Sequence, residues 1–170
     1  MPNIQVKRGS ATSALPDRTH GVVIAHIANN IGAWGAGFVL ALDQLSSVPR
    51  AAYMGLAKDN GGAGPRQPAD IPIGTWQWVE VKPGLIVSNM IAQRGISRTS
   101  ANPVLVDYDA LRKCLRATFH RAVRLGYHVN MPNRMGAGLA GGDQATIHRI
   151  IKETAEEVEQ SEIARKLGAT

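Results

Sequence analysis

Residues 21–38 decide the fold, because an apolar run there passes directly into a glycine-rich loop. The stretch reads Gly21-Val22-Val23-Ile24-Ala25-His26-Ile27-Ala28-Asn29-Asn30-Ile31-Gly32-Ala33-Trp34-Gly35-Ala36-Gly37-Phe38. Its first part, Gly21 to Ala28, is apolar on both faces, which predicts a central strand covered by helices on each side. The stretch is therefore typical of an α/β protein.

The loop after this strand, Asn29 to Phe38 (loop one), has the setting of an anion-binding loop. It lies between the predicted strand and a helical pattern that runs from Phe38 to Leu45. Backbone amides and a helix N-terminus can converge on an anion there, and glycines let the backbone touch a phosphate. One such loop is weak evidence, because glycines also serve tight turns.

A second glycine-rich loop, Pro132 to Gly142 (loop two), has the same setting. It follows a predicted strand from Tyr127 to Met131 and precedes a predicted helix, with Asp143 at the N-cap position. Two such loops at the carboxyl ends of neighbouring strands predict the two walls of a diphosphate cleft. Neither loop has the Lys-Ser/Thr ending of a P-loop, and their spacing departs from GxGxxG, so an NTPase or a Rossmann dehydrogenase is not supported.

The remaining patterns predict strands alternating with helices, and hence one three-layer α/β domain over residues 1–170. A long loop from Asn60 to Gly74 is rich in glycine and proline. The final residues, Glu162 to Leu167, fit either an extension of the last helix or an edge strand. The other predicted elements are a strand from Ile4 to Lys7, a helix from Ser46 or Ser47 to about Asp59, a hairpin of Trp76–Val81 and Leu85–Ile91, and a helix that begins at Asp107 or Asp109 and stops at Gly126.

Composition limits the functional classes. The chain has 170 residues, 44% of them hydrophobic, which suffices for one core without disulfide or metal. Cys114 is the single cysteine, so an intramolecular disulfide and a CxxC metal site are excluded and a reducing, cytoplasmic location is expected. No apolar stretch has the length of a signal peptide or a membrane span. The net charge of +6 favours a phosphate-bearing or polyanionic partner.

Three segments together resemble macro domains, in the branch that contains the terminal ADP-ribose protein glycohydrolase and yeast ADP-ribose-1''-phosphate phosphatase. The resemblance covers the chain from about Ile4 to Val158. It implies a three-layer α/β/α fold with a central mixed sheet, and ADP-ribose or an ADP-ribosylated protein as the partner. The segments are Ile24 to Phe38, Val87-Ser88-Asn89-Met90-Ile91-Ala92-Gln93, and Met131-Pro132 with Gly136 to Asp143.

The resemblance also implies which residues contact the ligand. Asn29 would bond the distal ribose, Gly32 to Phe38 would cradle that ribose and its neighbouring phosphate, and Gly136 to Gly141 would hold the diphosphate from the other side. The full implied set is Ser10, Ala11, Asn29, Asn30, Gly32, Ala33, Trp34, Gly35, Ala36, Gly37, Phe38, Gln93, Met135, Gly136, Ala137, Gly138, Leu139, Ala140 and Gly141.

The sequence departs from the family pattern at three positions. Gly9-Ser10-Ala11-Thr12 stands where the family often has Gly-Asp-Ala-Thr, so the adenine-recognising aspartate is replaced by Ser10. The catalytic lysine of the glycohydrolase falls at Gln93 and its catalytic aspartate at Ala140. Because glutamine is not an amine nucleophile, a lysine-based covalent route is not open to this chain.

The expected chemistry is hydrolysis by a water that the bound diphosphate and distal ribose position, with loop amides stabilising the developing charge. The predicted activity is removal of mono-ADP-ribose from acidic residues of proteins. The alternatives are a phosphatase acting on ADP-ribose-1''-phosphate and a reader that binds ADP-ribose without turnover. The candidate catalytic residues are Asn29, which would orient ribose or water or make only structural hydrogen bonds, and Asp143, which is a general base or a helix cap.

Other chemistry-bearing residues are given both a functional and a structural interpretation. His26 is read as a core histidine rather than a substrate contact, and Trp34 and Phe38 either cover the distal ribose or pack under loop one. Histidine spacing predicts no metal site, and no cofactor is expected. A basic stripe on one helix is either a solvated face or a nucleic-acid surface, the latter not favoured; it comprises Arg112, Arg116, His120 and Arg124, with Lys113 and Arg121 beside them.

Overall fold

The computed structural model describes residues 10–13, 16, 20–138 and 140–168. The predicted strand from Ile4 to Lys7 lies outside these residues. In chain order the elements are β1 (Val22–Asn29), α1 (Val39–Leu45), α2 (Val48–Asp59), β2 (Trp76–Lys82), β3 (Leu85–Gln93), α3 (Tyr108–Leu125), β4 (His128–Asn130) and α4 (Gln144–Lys166).

The described strands form one mixed sheet in the order β2-β3-β1-β4. Strand β1 pairs in parallel with β3 on one side and with β4 on the other, while β2 and β3 form the antiparallel hairpin that the sequence predicted. Because β1, β3 and β4 are parallel, their carboxyl ends meet at one edge of the sheet. This edge is where both glycine loops begin.

Helices cover both faces of the sheet, as the two-sided apolar pattern of β1 predicted. Ile24 and Val87 pack on one face with Tyr53 of α2. On the other face, Ala25 packs with Leu111 of α3 and other apolar side chains of α3 and α4. The fold is therefore a three-layer α/β/α arrangement, and the predicted fold class is confirmed.

Local signals explain where the helices begin and end. Asp107, rather than Asp109, caps α3 by accepting from Ala110 N, and Gly126 ends the helix in the left-handed region at φ 69°. Asp143 caps α4 by accepting from Thr146 N, as predicted. Helix α4 continues through Glu162 to Lys166, so the last residues extend the helix and form no edge strand.

The segment from Asn60 to Gly74 contains neither a helix nor a strand, as predicted, but it is packed against loop one. Ala69 N donates to Ile31 O and Ile71 N to Asn30 O, both at 2.9 Å. The Ile71 side chain is fully buried beside Tyr53 and Leu42. This segment therefore supports loop one from the α2 side of the sheet. Within the described ranges, no helix has the length and apolar character needed to cross a membrane.

Candidate functional site

The two glycine loops lie side by side. Loop one follows β1 at Asn29, loop two follows β4 after Asn130, and β1 and β4 are hydrogen-bonded neighbours. A Cβ placed on Gly136 of loop two would lie 2.9 Å from Cδ1 of Ile27 in β1. Loop two is thus packed against the end of the strand that leads into loop one, as the sequence predicted.

Asn29 and Tyr53 determine the shape of loop one. The Asn29 side chain is 8% exposed; its Nδ2 donates to Ala33 O at 2.6 Å, and its Oδ1 accepts from Ile31 N and Ala33 N, each at 3.1 Å. The Tyr53 hydroxyl lies 2.7 Å from Asn29 Oδ1 and accepts from Gly32 N at 3.1 Å. Burial raises the pKa of Tyr53 to about 12, so the hydroxyl remains protonated. Asn29 therefore has the structural role that the sequence left open, and its contact with a ribose stays a prediction.

The tip of loop one presents unpaired backbone donors. In the part of the chain that the structure describes, the N–H groups of residues 34–38 have no hydrogen-bond acceptor. Gly35, Ala36 and Gly37 are exposed. A row of unpaired N–H groups in an exposed glycine loop is suited to an anion.

Loop two uses some of its amides to hold its own shape and leaves others unpaired. Gly142 N donates to Gly136 O at 2.7 Å and Gly141 N donates to Gly138 O at 3.1 Å. Across the described residues of this loop, the N–H groups of Gly136, Gly138 and Ala140 meet no acceptor. Met135 and Ala140 are buried beneath the loop, while Leu139 lies outside the described residues.

The aromatic residues of loop one point into the core. Trp34 is 6% exposed, its Nε1 donates to Asp43 Oδ1 at 2.9 Å, and its ring centroid lies 5.2 Å from that of Tyr53. Phe38 is half-buried with its ring 5.9 Å from His26. Trp34 therefore packs under the loop, while a contact of either ring with the distal ribose stays a prediction.

His26 supports loop one from within the core. It is 1% exposed, and its Nε2 lies 2.6 Å from Asn89 Oδ1. Its Nδ1 has no partner among the described residues. Burial lowers the pKa of His26 to about 4, so the ring is neutral at physiological pH. The interpretation of His26 as a core histidine agrees with this environment.

Sequence reasoning missed a third segment at the site, residues 94–106, which we call the arm. It leaves the end of β3 and returns to the start of α3, closed at its base by an antiparallel bridge. Gly95 N donates to Asn30 Oδ1 of loop one at 2.9 Å, and Leu105 N donates to Ala140 O of loop two at 2.8 Å. The arm thus bridges the two loops. Its sequence has no helical or strand periodicity, so only the packed chain reveals it.

The comparisons with known proteins agree with this geometry. A protein of unknown function from Bacteroides thetaiotaomicron is 38% identical over 87% of each chain, with a TM-score of 0.75. A macrodomain protein from Streptomyces coelicolor is 32% identical over 89% of this chain and 90% of its own, with a TM-score of 0.70. The chain is a macrodomain. The macrodomain of Mycobacterium tuberculosis DarG is 15% identical over 89% of each chain with a TM-score of 0.66, which shows the shared fold alone. No family model and no curated protein matches the chain.

Gln93 and Ala140 lie where the arm meets the two loops, and neither brings an ionisable group there. Gln93 Nε2 donates to Gly95 O at 2.8 Å, and the backbone carbonyl of Gln93 accepts from Asn30 N at 3.0 Å. Ala140 is 4% exposed. Both residues therefore hold the arm and the loops together.

Asp143 is a helix cap in this macrodomain. Its Oδ2 accepts from both Thr146 N, at 3.0 Å, and the Thr146 hydroxyl. The Thr146 hydroxyl and amide lower the pKa of Asp143, which makes its carboxylate a weaker base. The cap interpretation is thereby favoured over the general base.

Ser10 and Ala11 lie in a short turn. Ser10 Oγ lies 2.7 Å from Thr12 Oγ1, and Ser13 N donates to Ser10 O at 3.1 Å. Between the described residues of this turn and either glycine loop, the structure shows no hydrogen bond. Their proposed role at the adenine therefore stays a prediction.

Two further features lie away from the glycine loops. The basic stripe of α3 is a seam with α4, because Arg112, Arg116 and Arg124 form salt bridges with Glu153, Glu157 and Glu162, at 2.9, 2.9 and 3.0 Å. These salt bridges give the three arginines a structural role, and a nucleic-acid contact of the stripe stays a prediction. A groove of about 330 Å³ lies near the C-terminal end of α3 and contains none of the predicted ligand residues; it is lined by Trp78, Glu80, Ile86, Arg121, Leu125 and Tyr127.

Among the described residues, no group of three or more His, Cys, Asp or Glu side chains is placed to hold a metal ion.

Proposed function

We propose that this macrodomain binds ADP-ribose in the cleft between loop one and loop two. The observation that carries the proposal is the pair of unpaired N–H rows, residues 34–38 on one side and Gly136, Gly138 and Ala140 on the other. A pyrophosphate carries negative charge on both phosphates and accepts hydrogen bonds from two directions. Donors on both walls suit that ligand better than a single phosphate.

The distal ribose is proposed to lie against Gly32 to Phe38 and the diphosphate against Gly136 to Gly141. Asn29 acts in this scheme as a positioning residue, because its amide is bound to the backbone of loop one. The turn at Ser10 is the proposed adenine site, with a hydroxyl in place of the usual carboxylate. The proposed partner is ADP-ribose, free or attached to a protein.

The proposed reaction is hydrolysis of an ADP-ribose ester on an acidic protein residue. The oxygen of water attacks the anomeric carbon of the distal ribose, the bond from that carbon to the ester oxygen breaks, and the protein carboxylate leaves with the electron pair. The proton of the water passes to a phosphate oxygen of the ligand. The described side chains near the loops include no strong base. We therefore propose that the rate acceleration comes from positioning of the water and from the amide dipoles of the loops.

A non-catalytic reader is the second candidate, and one observation favours it. The two positions where the related glycohydrolase has charged catalytic groups are Gln93, whose amide is bound to Gly95 O, and Ala140, which is buried. Binding without turnover requires neither group. A phosphatase acting on ADP-ribose-1''-phosphate remains the nearest enzymatic alternative, because its scissile bond is at the same anomeric position.

Calorimetry with ADP-ribose, followed by incubation with a glutamate-linked ADP-ribosylated protein and with ADP-ribose-1''-phosphate, separates these functions. We expect binding and release of ADP-ribose from the protein. Binding without any release identifies a reader, and release from the phosphate ester alone identifies the phosphatase. Absence of binding rejects all three.

Gly35→Asp tests the placement of the ligand. A Cβ on Gly35 meets no atom within 4 Å, so the variant is expected to fold while placing a carboxylate in the cleft. We expect ADP-ribose affinity to fall by at least about tenfold, because a negative charge then faces the pyrophosphate. Gly55→Asp is the matched control: Gly55 is an exposed glycine of α2 with equally open surroundings, and its substitution is expected to leave the affinity unchanged.

A further inference from the structure

The arm brings an arginine to loop two. Arg98 Nε donates to Pro103 O at 2.6 Å, and the tip of the arm is closed by reciprocal backbone hydrogen bonds between Thr99 and Asn102, each at 3.1 Å. A Cβ on Gly141 would lie 2.6 Å from Arg98 Nε and 2.7 Å from its Cζ. The guanidinium therefore lies directly against the backbone of loop two, and its position is set by the arm.

Arg98 differs from Arg94 and from Arg112, Arg116 and Arg124 of α3 in having no counter-ion among the described residues. Arg94, at the base of the same arm, is bound to Asp107 at 2.9 Å, and the stripe arginines of α3 are bound to glutamates of α4. Across the described ranges, Arg98 forms no salt bridge, and its side chain is exposed. Its Nε is occupied by Pro103 O, so the two terminal nitrogens of the fork are free to donate.

A free guanidinium complements the unpaired amides of the same loop. Gly136, Gly138 and Ala140 offer neutral N–H donors, whereas a pyrophosphate brings full negative charges. Arginine binds phosphate oxygens through two parallel N–H donors, a charge-assisted interaction stronger than an amide contact.

We propose that Arg98 is a further ligand-binding residue, whose terminal nitrogens bind a phosphate oxygen of the pyrophosphate held by loop two. The proposal rests on the ADP-ribose binding proposed above. It assigns the arm a function beyond bridging the loops: the arm delivers the positive charge that the glycine backbone lacks. Ser97 to Asn102 then form a rim of the cleft rather than an uninvolved surface loop.

The test is calorimetric titration of ADP-ribose into the wild type and Arg98→Gln at two salt concentrations. We expect Arg98→Gln to bind at least about tenfold more weakly, equivalent to about 1.4 kcal/mol, and its affinity to depend less on salt. Arg98→Met gives a second neutral variant if Arg98→Gln fails to fold. Arg121→Gln is the matched control, because Arg121 lies far from the loops. Arg121 stacks on Trp78, and Trp78 pairs with Ser88 of β3. Ser88 lies roughly 16 Å along the strand from the end of β3, where the arm begins.

The outcomes separate the two proposals. If the wild type does not bind ADP-ribose, the proposed function fails and the role of Arg98 fails with it. If the wild type binds and the neutral Arg98 variants bind equally well, only the role of Arg98 is overturned. If the neutral variants bind ADP-ribose more weakly but with an unchanged salt dependence, the role of Arg98 is also overturned. In that case the affinity falls because the arm is disordered, and no charge contact with the ligand has been removed.

Discussion

At the scale of single residues, the buried polar side chains of Asn29 and Tyr53 hold the backbone of loop one in this macrodomain. Asn29 bonds Ile31 and Ala33, and Tyr53 links Asn29 to Gly32. Each bond satisfies a donor or acceptor that burial would otherwise leave unpaired, at a cost of about 1–3 kcal/mol. The proposed ligand contacts are consequently mostly backbone groups, with the Ser10 hydroxyl and the Arg98 guanidinium as the proposed side-chain contacts.

His26 is the residue whose titration should be visible in stability. The unfolded chain binds a proton on His26 below about pH 6.5, whereas burial lowers the pKa in the folded chain to about 4. The unfolded state binds more protons between these values, so the free energy of unfolding falls as pH falls through the window. The full effect is about 3 kcal/mol.

We therefore expect urea unfolding of the wild type to show a loss of stability from pH 6.5 to pH 4 that is reduced in His26→Gln. Glutamine keeps a hydrogen-bonding group near Asn89 but does not titrate. His148→Gln, at an exposed position of α4, is the control and should retain the wild-type slope. Equal slopes in the wild type and His26→Gln would show that other groups cause the pH dependence.

At the scale of elements, α3 and α4 are joined by a ladder of opposite charges above their apolar contact. The pair nearest the C-terminus of α4 involves the buried carboxylate of Glu162. Its Oε1 lies 2.8 Å from His120 Nδ1 and 3.0 Å from Arg124 Nε, and its Oε2 lies 2.9 Å from Arg165 Nε. The hydrogen bonds from His120, Arg165 and Arg124 lower the pKa of Glu162 to about 2. The ladder gives the basic residues of the α3 stripe a structural role in joining the two helices.

Glu162→Gln is expected to destabilise the fold far more than Glu157→Gln, because three cationic or donor groups converge on Glu162 and one on Glu157. An exposed pair such as Arg116–Glu157 contributes about 0.5 kcal/mol. The Glu162 contribution is present above its unfolded pKa of 4.5 and is lost as pH falls toward 2. Thermal unfolding of both variants at neutral and acidic pH measures this; similar melting temperatures at neutral pH would contradict it.

At the scale of the whole molecule, the cleft depends on a junction where β1, the arm and α4 meet loop two. A Cβ on Gly136 would lie 2.9 Å from Ile27 Cδ1, 3.0 Å from Val106 Cγ2 and 3.2 Å from Ile147 Cδ1. Gly136 also has φ 74°, which favours glycine. One glycine thus lets three parts of the chain close around the base of the site.

Gly136→Ala is expected to lower the free energy of unfolding by about 1–3 kcal/mol, through both the left-handed backbone and the crowded Cβ. Gly138→Ala is the control from the same loop, because a Cβ there meets nothing within 4 Å. Urea unfolding compares the two. If Gly136→Ala and Gly138→Ala have the same free energy of unfolding, the residues around Gly136 accommodate a Cβ without loss of stability, and the prediction is wrong.

The sequence by itself determined most of the described elements, while it left open whether Asp107 or Asp109 begins α3 and whether Glu162 to Leu167 extends α4. The apolar run of β1, the caps Asp107 and Asp143 and the terminator Gly126 are local signals, since each depends on residues within one or two turns. The setting of both glycine loops, between a strand and a helix, followed from the same local patterns. The resemblance of these segments to macro domains then led to the family, which the Streptomyces coelicolor structure confirms.

Only the tertiary structure decided which groups hold the two loops and the arm together. The contacts of the arm join residues far apart in the chain, such as Asn30 with Gly95, and Arg98 with Gly141. The seam between α3 and α4 likewise pairs Arg116 with Glu157. Periodicity and capping describe neighbours along the chain, whereas these contacts depend on how sheet and helices pack. For that reason the sequence predicted loops that bind an anion but not the arm that lies between them.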